Sequence, residues 1–125
     1  MRLLLDTHVL LWLMENDPRL TASAHSLIVD ASEVYVSSAS IWEIAIKWRL
    51  GKIEENPKIV ADHVKAAGLK ELLVSNRHAV ATGQLPRLHN DPFDRLLVAQ
   101  AVTEPMQLLT ADSRLAAYSE LVLVF

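Results

Sequence analysis

Four acids are placed where they could do chemistry together. Asp6 follows the apolar run Leu3-Leu4-Leu5, and Glu43 lies within Ser40-Ile41-Trp42-Glu43. Asp94 belongs to Asp91-Pro92-Phe93-Asp94, and Asp112 comes just after Leu108-Leu109-Thr110-Ala111. Carboxylates move protons or hold hard cations. Two of them about 4 Å apart repel by about 4 kcal/mol at an effective dielectric near 20. A cluster of three or four therefore holds protons, opens up, or is neutralised by a cation. An oxygen-only set suits Mg²⁺, with Mn²⁺ as a substitute. The chain has no cysteine, and its five histidines lack a close paired spacing, so a zinc site has little to build on. The absence of cysteine also removes any disulfide framework or thiolate nucleophile.

Each acid also has a purely structural reading. Asp6 can cap a helix starting near Thr7, and Asp112 can cap a last short helix. Ser40 and Glu43 have the spacing of a capping box, with Glu43 and Lys47 as a favourable i,i+4 pair. Asp94 can complement a helix dipole, while Asp91 caps the same helix. Only convergence separates the chemical reading from these, so the elements that carry the acids decide the matter.

Those elements alternate. Short continuous apolar runs at Leu3–Leu5, Val34–Val36, Leu72–Val74, Gln107–Leu109 and Leu121–Val124 suit strands buried on both faces. Ile41, Ile44, Ala45 and Trp48 fall at helical spacing before Gly51; Leu20, Ala24, Leu27, Ile28 and Ala31 form another stripe. Pro57 to Gly68 reads as a third helix, and Asp91-Pro92 opens a fourth whose body, Phe93 to Ala101, is nearly all apolar. This order predicts a three-layer α/β/α sandwich with a mainly parallel central sheet of about five strands. In such a fold strand C-termini and helix N-termini share one edge, where ligands bind, and all four acids map to it.

The whole of residues 1–125 reads as a single domain, with no internal repeat or linker. At 13.9 kDa, with 51% hydrophobic and 22% charged residues, disorder and low complexity are excluded. No apolar stretch approaches the ~18 residues of a membrane span, and the N-terminus lacks the pattern of a signal peptide, so a cytoplasmic protein is expected. Fifteen acids against twelve bases give a net charge of −3, which taken alone disfavours a nucleic-acid partner. Two divalent ions on the acids would carry that balance to about +1, so the total charge excludes little. Local bases exist: Lys47, Arg49 and Lys52 in one group, and Arg87, His89 and Arg95 around Asp94. The second group is the better candidate for phosphate contact because it adjoins the acids. Trp12 and Trp48 read as core or interface side chains, while Trp42 beside Glu43 is open to a stacking role.

Four segments together resemble PIN-domain proteins, in particular the VapC-like toxins of bacterial toxin–antitoxin pairs. They are Leu-Leu-Leu-Asp-Thr-His with Val-Leu-Leu-Trp, Ser-Ser-Ala-Ser-Ile-Trp-Glu-Ile-Ala-Ile-Lys, Asp-Pro-Phe-Asp-Arg-Leu-Leu-Val-Ala-Gln-Ala, and Leu-Leu-Thr-Ala-Asp. The resemblance spans the chain in the right order. It implies an Mg²⁺-dependent ribonuclease with Asp6, Glu43, Asp94 and Asp112 as catalytic and metal-binding acids, Asp6 and Asp94 foremost. It places Thr110 as a hydroxyl supporting the last acid, and His8 where many members carry a small polar residue such as Asn. It implies an RNA substrate attacked by water to leave a 5′-phosphate and a 3′-hydroxyl, a cognate antitoxin protein and a homodimer.

Three other readings compete. A PIN-fold binding module without activity usually lacks one of the acids, and here all four are present. A phospho-receiver switch would want paired acids after the first strand and a late lysine; Asp6 stands alone and the last lysine is Lys70. A phosphatase with an Asp nucleophile needs a second acid two residues on, where this chain has His8.

Overall fold

The computed structural model describes all residues from Met1 to Phe125. The chain runs β1 (Arg2–Leu5), α1 (Thr7–Glu15), α2 (Ala22–Asp30), β2 (Glu33–Ser37), α3 (Ser38–Arg49) and α4 (Pro57–Ala66). It continues through β3 (Lys70–Leu72), α5 (Asn76–Thr82), α6 (Pro92–Thr103), β4 (Gln107–Thr110), a short 3-10 helix (Ser113–Tyr118) and β5 (Val122–Val124). The five strands form one sheet in the order β3-β2-β1-β4-β5, with every neighbouring pair parallel.

Alternation along β1 and β4 builds the layers. Leu3, Leu5 and Leu109 point to one face, where they meet Val9 and Leu10 of α1, Ile28 of α2, Ile44 of α3, and Val60 and Val64 of α4. Leu4 and Leu108 point to the other, against Leu97, Val98 and Ala101 of α6 and Leu115 of the 3-10 helix. Apolar side chains on both faces explain why these strands read as unbroken leucine runs. The result is the expected three-layer sandwich, with a fully parallel sheet.

Helix ends follow the local chemistry. Asp6, Thr21, Ser37, Asn56, Ser75 and Asp91 each cap a helix by accepting from a backbone N–H of its first turn. Gly51 and Gly68, at φ 72° and 76°, take the left-handed conformation that ends α3 and α4, as their positions in the sequence suggested.

Two local expectations are corrected, and one helix was not expected at all. The third strand lies at Lys70–Leu72, two residues earlier than the run Leu72–Val74, and Leu73 and Val74 are exposed beyond it. Helix α5 carries no apolar stripe long enough to show; a reciprocal cap between Ser75 and His78 starts it. Trp48 is 44% exposed and does not belong to the core, because α3 buries Ala39, Ser40, Glu43 and Ile44 instead.

Leu4 is fully buried in the central strand. Leu4→Ala should lower stability by about 2–5 kcal/mol in urea denaturation, whereas Val29→Ala on the exposed side of α2 should change it by less than about 0.5 kcal/mol. A cost at Leu4 no larger than that at Val29 would contradict the layer assignment.

Candidate active site

The parallel sheet delivers the C-terminal ends of β1, β2 and β4 to a single edge. Beyond Leu5, the backbone N–H of Asp6 still donates to the Leu109 carbonyl at 3.0 Å, so the ladder extends one residue and fixes Asp6 at the sheet's centre. The edge holds a cleft of about 300 Å³ lined by Asp6, His8, Trp12, Glu43, Lys47, Asp91, Asp94, Ala111, Asp112 and Arg114. Four separate parts of the chain thus bring all four predicted acids to one place.

Asp6 is 4% exposed. Its Oδ1 accepts from the Thr7 backbone N–H at 2.7 Å, and its Oδ2 accepts from the Thr110 hydroxyl at 2.6 Å. Burial pushes its pKa up, while the Thr110 hydrogen bond, His8 and the Thr7 amide pull it down and Glu43 pushes it up again. Thr110 is fully buried; its hydroxyl supports Asp6, and also accepts from the Asp112 backbone N–H at 3.0 Å. The hydroxyl expected beside the last acid therefore bridges the first and last.

Glu43 is also buried, in the second turn of α3. The Thr7 hydroxyl donates to its Oε1 at 2.7 Å, and Lys47, one turn on, lies 3.0 Å from its Oε2. The i,i+4 pair is as expected, but the capping box is not. Ser37 caps α3, and Ser40 sits inside the helix with its hydroxyl 2.9 Å from that of Thr7. Thr7 and Ser40 are members of the site that sequence reasoning missed. Thr7 is 2% exposed and reaches Glu43 and Ser40 behind the cleft; its place directly after Asp6 was the one available signal.

Asp94 stands in the first turn of α6, where Asp91 Oδ1 caps the helix through the Phe93 and Asp94 amides. Burial raises its pKa to about 6; the His89 hydrogen bond, at 3.1 Å to Oδ2, opposes this, and the charges of Asp6 and Asp91 add to it. Asp112 caps the 3-10 helix through the Arg114 amide and is gripped by the Arg114 guanidinium at 2.7–3.2 Å. That grip holds its pKa below the usual carboxylate value.

A division of labour follows. Glu43 and Asp112, on the two flanks, each have a protein cation. Asp6 and Asp94 have hydrogen bonds but no lysine or arginine. In this arrangement no three acidic or histidine side chains form a ready ligand set; each carboxylate is engaged by its own protein partners. The donor chemistry nevertheless fits a hard divalent cation: all oxygen, no sulfur, and a central pair that repel each other and have no lysine or arginine partner.

The predicted substrate-contact residues divide differently. His89 lies behind Asp94 and is not on the cleft wall. Arg95 is committed to the carbonyls of Pro86 and Thr82 and to the Tyr118 hydroxyl, and Arg87 does not line the cleft. The cations that do line it are Lys47 and Arg114. Trp12 lines it too, with its ring stacked on Arg19 at 4.9 Å, while Trp42 is 61% exposed and meets Phe93 edge-on outside the cleft.

Comparison with known proteins bears on this geometry. The chain is 28% identical over 121 residues to Ribonuclease VapC22 of Mycobacterium tuberculosis, covering 92% of this chain and 90% of that protein. It is 36% identical over 69 residues to Ribonuclease VapC16 of the same organism, about half of each chain (49% and 49%). Its fold is similar to that in the crystal structure of VapBC2 from Rickettsia felis bound to a promoter DNA fragment, with TM-score 0.72, 17% identity and coverage of 98% and 96% of the two chains. DNA-bound VapBC from Salmonella typhimurium is similar as well, at TM-score 0.68, 16% identity and coverage of 100% and 97%. A family model described as PIN domain matches residues 3–121, which contain all four acids, and the chain belongs to the PIN domain family.

Proposed function

We propose that this protein is a divalent-cation-dependent endoribonuclease and the toxin of a toxin–antitoxin pair. The observation that carries the reading is the convergence of Asp6, Glu43, Asp94 and Asp112 from four chain segments on one cleft, with Asp6 and Asp94 lacking any lysine or arginine partner. Similarity to Ribonuclease VapC22 along nearly the whole chain supports RNA as substrate, and the VapBC assemblies of the same fold support an antitoxin partner. Mg²⁺ is the resident ion in this reading, with Mn²⁺ as substitute, and the protein works as a homodimer in the cytoplasm.

Asp6 and Asp94 would hold the cation, with Glu43 and Asp112 completing the shell or orienting the attacking water. A bound divalent ion supplies Lewis-acid stabilisation of phosphate charge and a lowered pKa for water. The protein's own contribution is positional. Thr7 and Thr110 fix the rotamers of Glu43 and Asp6, while Lys47 and Arg114 present positive charge on the cleft wall to the phosphate backbone.

Purified protein incubated with total RNA should cleave in Mg²⁺ or Mn²⁺ and stop in excess EDTA. Asp6→Asn and Asp94→Asn should each reduce the rate by about 100-fold or more while leaving the circular dichroism spectrum unchanged. Cleavage that persists in EDTA, or in both variants, would refute the mechanism.

The Asp94 pKa gives a second expectation, for the metal-free chain. The group binds its proton more tightly when folded (about 6) than at the unfolded value (3.8). Between these values the folded state holds more protons, so stability falls as pH rises through the window. Burial of Asp6 acts in the same direction. Urea denaturation in EDTA from pH 4 to 7 should show this decline, and Asp94→Asn should flatten it. An equally steep decline in the variant would show that Asp94 is not its source.

A further inference from the structure

His89 uses both ring nitrogens, and the partners on each side decide which one carries the hydrogen. Nε2 is 3.1 Å from Asp94 Oδ2, and Nδ1 is 2.6 Å from the Tyr118 hydroxyl. That hydroxyl also receives two donors that cannot accept: the His89 backbone N–H at 3.3 Å and Arg95 Nη1 at 3.1 Å. A phenol has one hydrogen to give and two lone pairs to share. With both lone pairs engaged by N–H donors, its single hydrogen goes to His89 Nδ1. Nδ1 is then the acceptor, and the imidazole hydrogen sits on Nε2, aimed at Asp94.

Arg95 holds this arrangement in place. One guanidinium nitrogen bonds the Pro86 carbonyl at 2.8 Å as well as Tyr118, and the other bonds the Thr82 carbonyl at 3.0 Å. The end of α5, the segment bearing His89, the first turn of α6 and the 3-10 helix are thereby stitched together around one phenol. The segment contributes no strand or helix of its own between Thr82 and Pro92, so this stitching is what gives His89 a fixed position.

We infer that His89 is a positioning residue for Asp94: the chain Arg95–Tyr118–His89 fixes a neutral Nε2–H tautomer that occupies Asp94 Oδ2 and leaves Oδ1 to face the cleft. This rests on the proposed role of Asp94 as a cation ligand. Carboxylates that bind metals are commonly oriented by such outer hydrogen bonds, whose loss costs about 10–100-fold in metal affinity. It also accounts for Arg95, which serves the site from behind and not by contact with a phosphate.

The test uses the full metal-free chain and Mn²⁺ itself as the probe. Long-range ¹⁵N NMR of the imidazoles should show His89 with Nδ1 unprotonated and Nε2 protonated, and Tyr118→Phe should shift it toward a mixture of tautomers. Mn²⁺ titration followed by electron paramagnetic resonance should show about 10–100-fold weaker binding for His89→Ala. The loss should be smaller for Tyr118→Phe, and His89→Gln, whose amide N–H replaces the Nε2 donor, should recover most of the affinity. An Nδ1–H tautomer in the wild type, or Mn²⁺ affinity unchanged in His89→Ala, overturns the inference alone. A wild-type chain that binds no Mn²⁺ overturns both it and the metal reading. If His89→Ala does not fold, the tautomer in wild type and Tyr118→Phe still decides.

Discussion

Asp6 is a carboxylate buried at the centre of a sheet edge, and a charge in that place has to be met by donors or by a cation. The fold supplies donors only. Thr7 gives an amide and Thr110 a hydroxyl, one to each oxygen, and neither cancels the charge. Much of the edge is arranged around this requirement. The Thr7 hydroxyl, left over after its amide serves Asp6, ties α1 to α3 through Glu43, while Thr110 ties β4 to β1. Asp94 adds a second negative charge to the same cleft, again with a hydrogen bond and no lysine or arginine partner. Chains seldom keep two such groups together unless something outside the chain completes them.

The strand order explains why the acids meet at this edge. β1 is central, its crossover to β2 goes one way, and the later return to β4 lands on its other side. Helices α1 to α4 pack against one face and α6 with the 3-10 helix against the other. The first turns of α1 and α6 therefore approach the ends of β1 and β4 from opposite layers, opening a crevice between them. Every helix end at that crevice is capped by a side chain, and two of those caps, Asp6 and Asp112, are themselves site acids. Capping and chemistry are not rival explanations for these residues. The same backbone N–H that completes the helix also holds the carboxylate still.

That coincidence governs what the sequence could disclose. The four acids, the parallel sandwich and the caps at Asp6, Asp91 and Asp112 were legible because strand ends, apolar runs and Asx caps are local signals. The Glu43–Lys47 pair was legible for the same reason. Ser40 was misread as a cap because Ser-x-x-Glu matches a capping box locally, whereas its real partner, Thr7, is 33 residues away. His89 and Arg95 carried the right charge in the right neighbourhood for phosphate contact. Only the side-chain network around Tyr118, 29 and 23 residues on, shows that they face inward. Trp12 sat in an apolar segment that read as core or interface, and it is found lining the cleft. Each miss required a contact between residues far apart in sequence, which periodicity cannot carry.

The flanking ion pairs give the cleft a further property. Arg114 and Lys47 are 68% and 35% exposed at their side chains, and pairs with such groups contribute about 0–1 kcal/mol. They restrain Asp112 and Glu43 in the free chain without committing them. Were Glu43 and Asp112 to join Asp6 and Asp94 in holding a divalent cation, Lys47 and Arg114 would lose their present partners and be left at the rim. Both line the cleft, so they are the protein cations that a polyanion there would meet. An overall acidic chain can in this way carry lysine and arginine on the wall of the cleft in which its four acids meet.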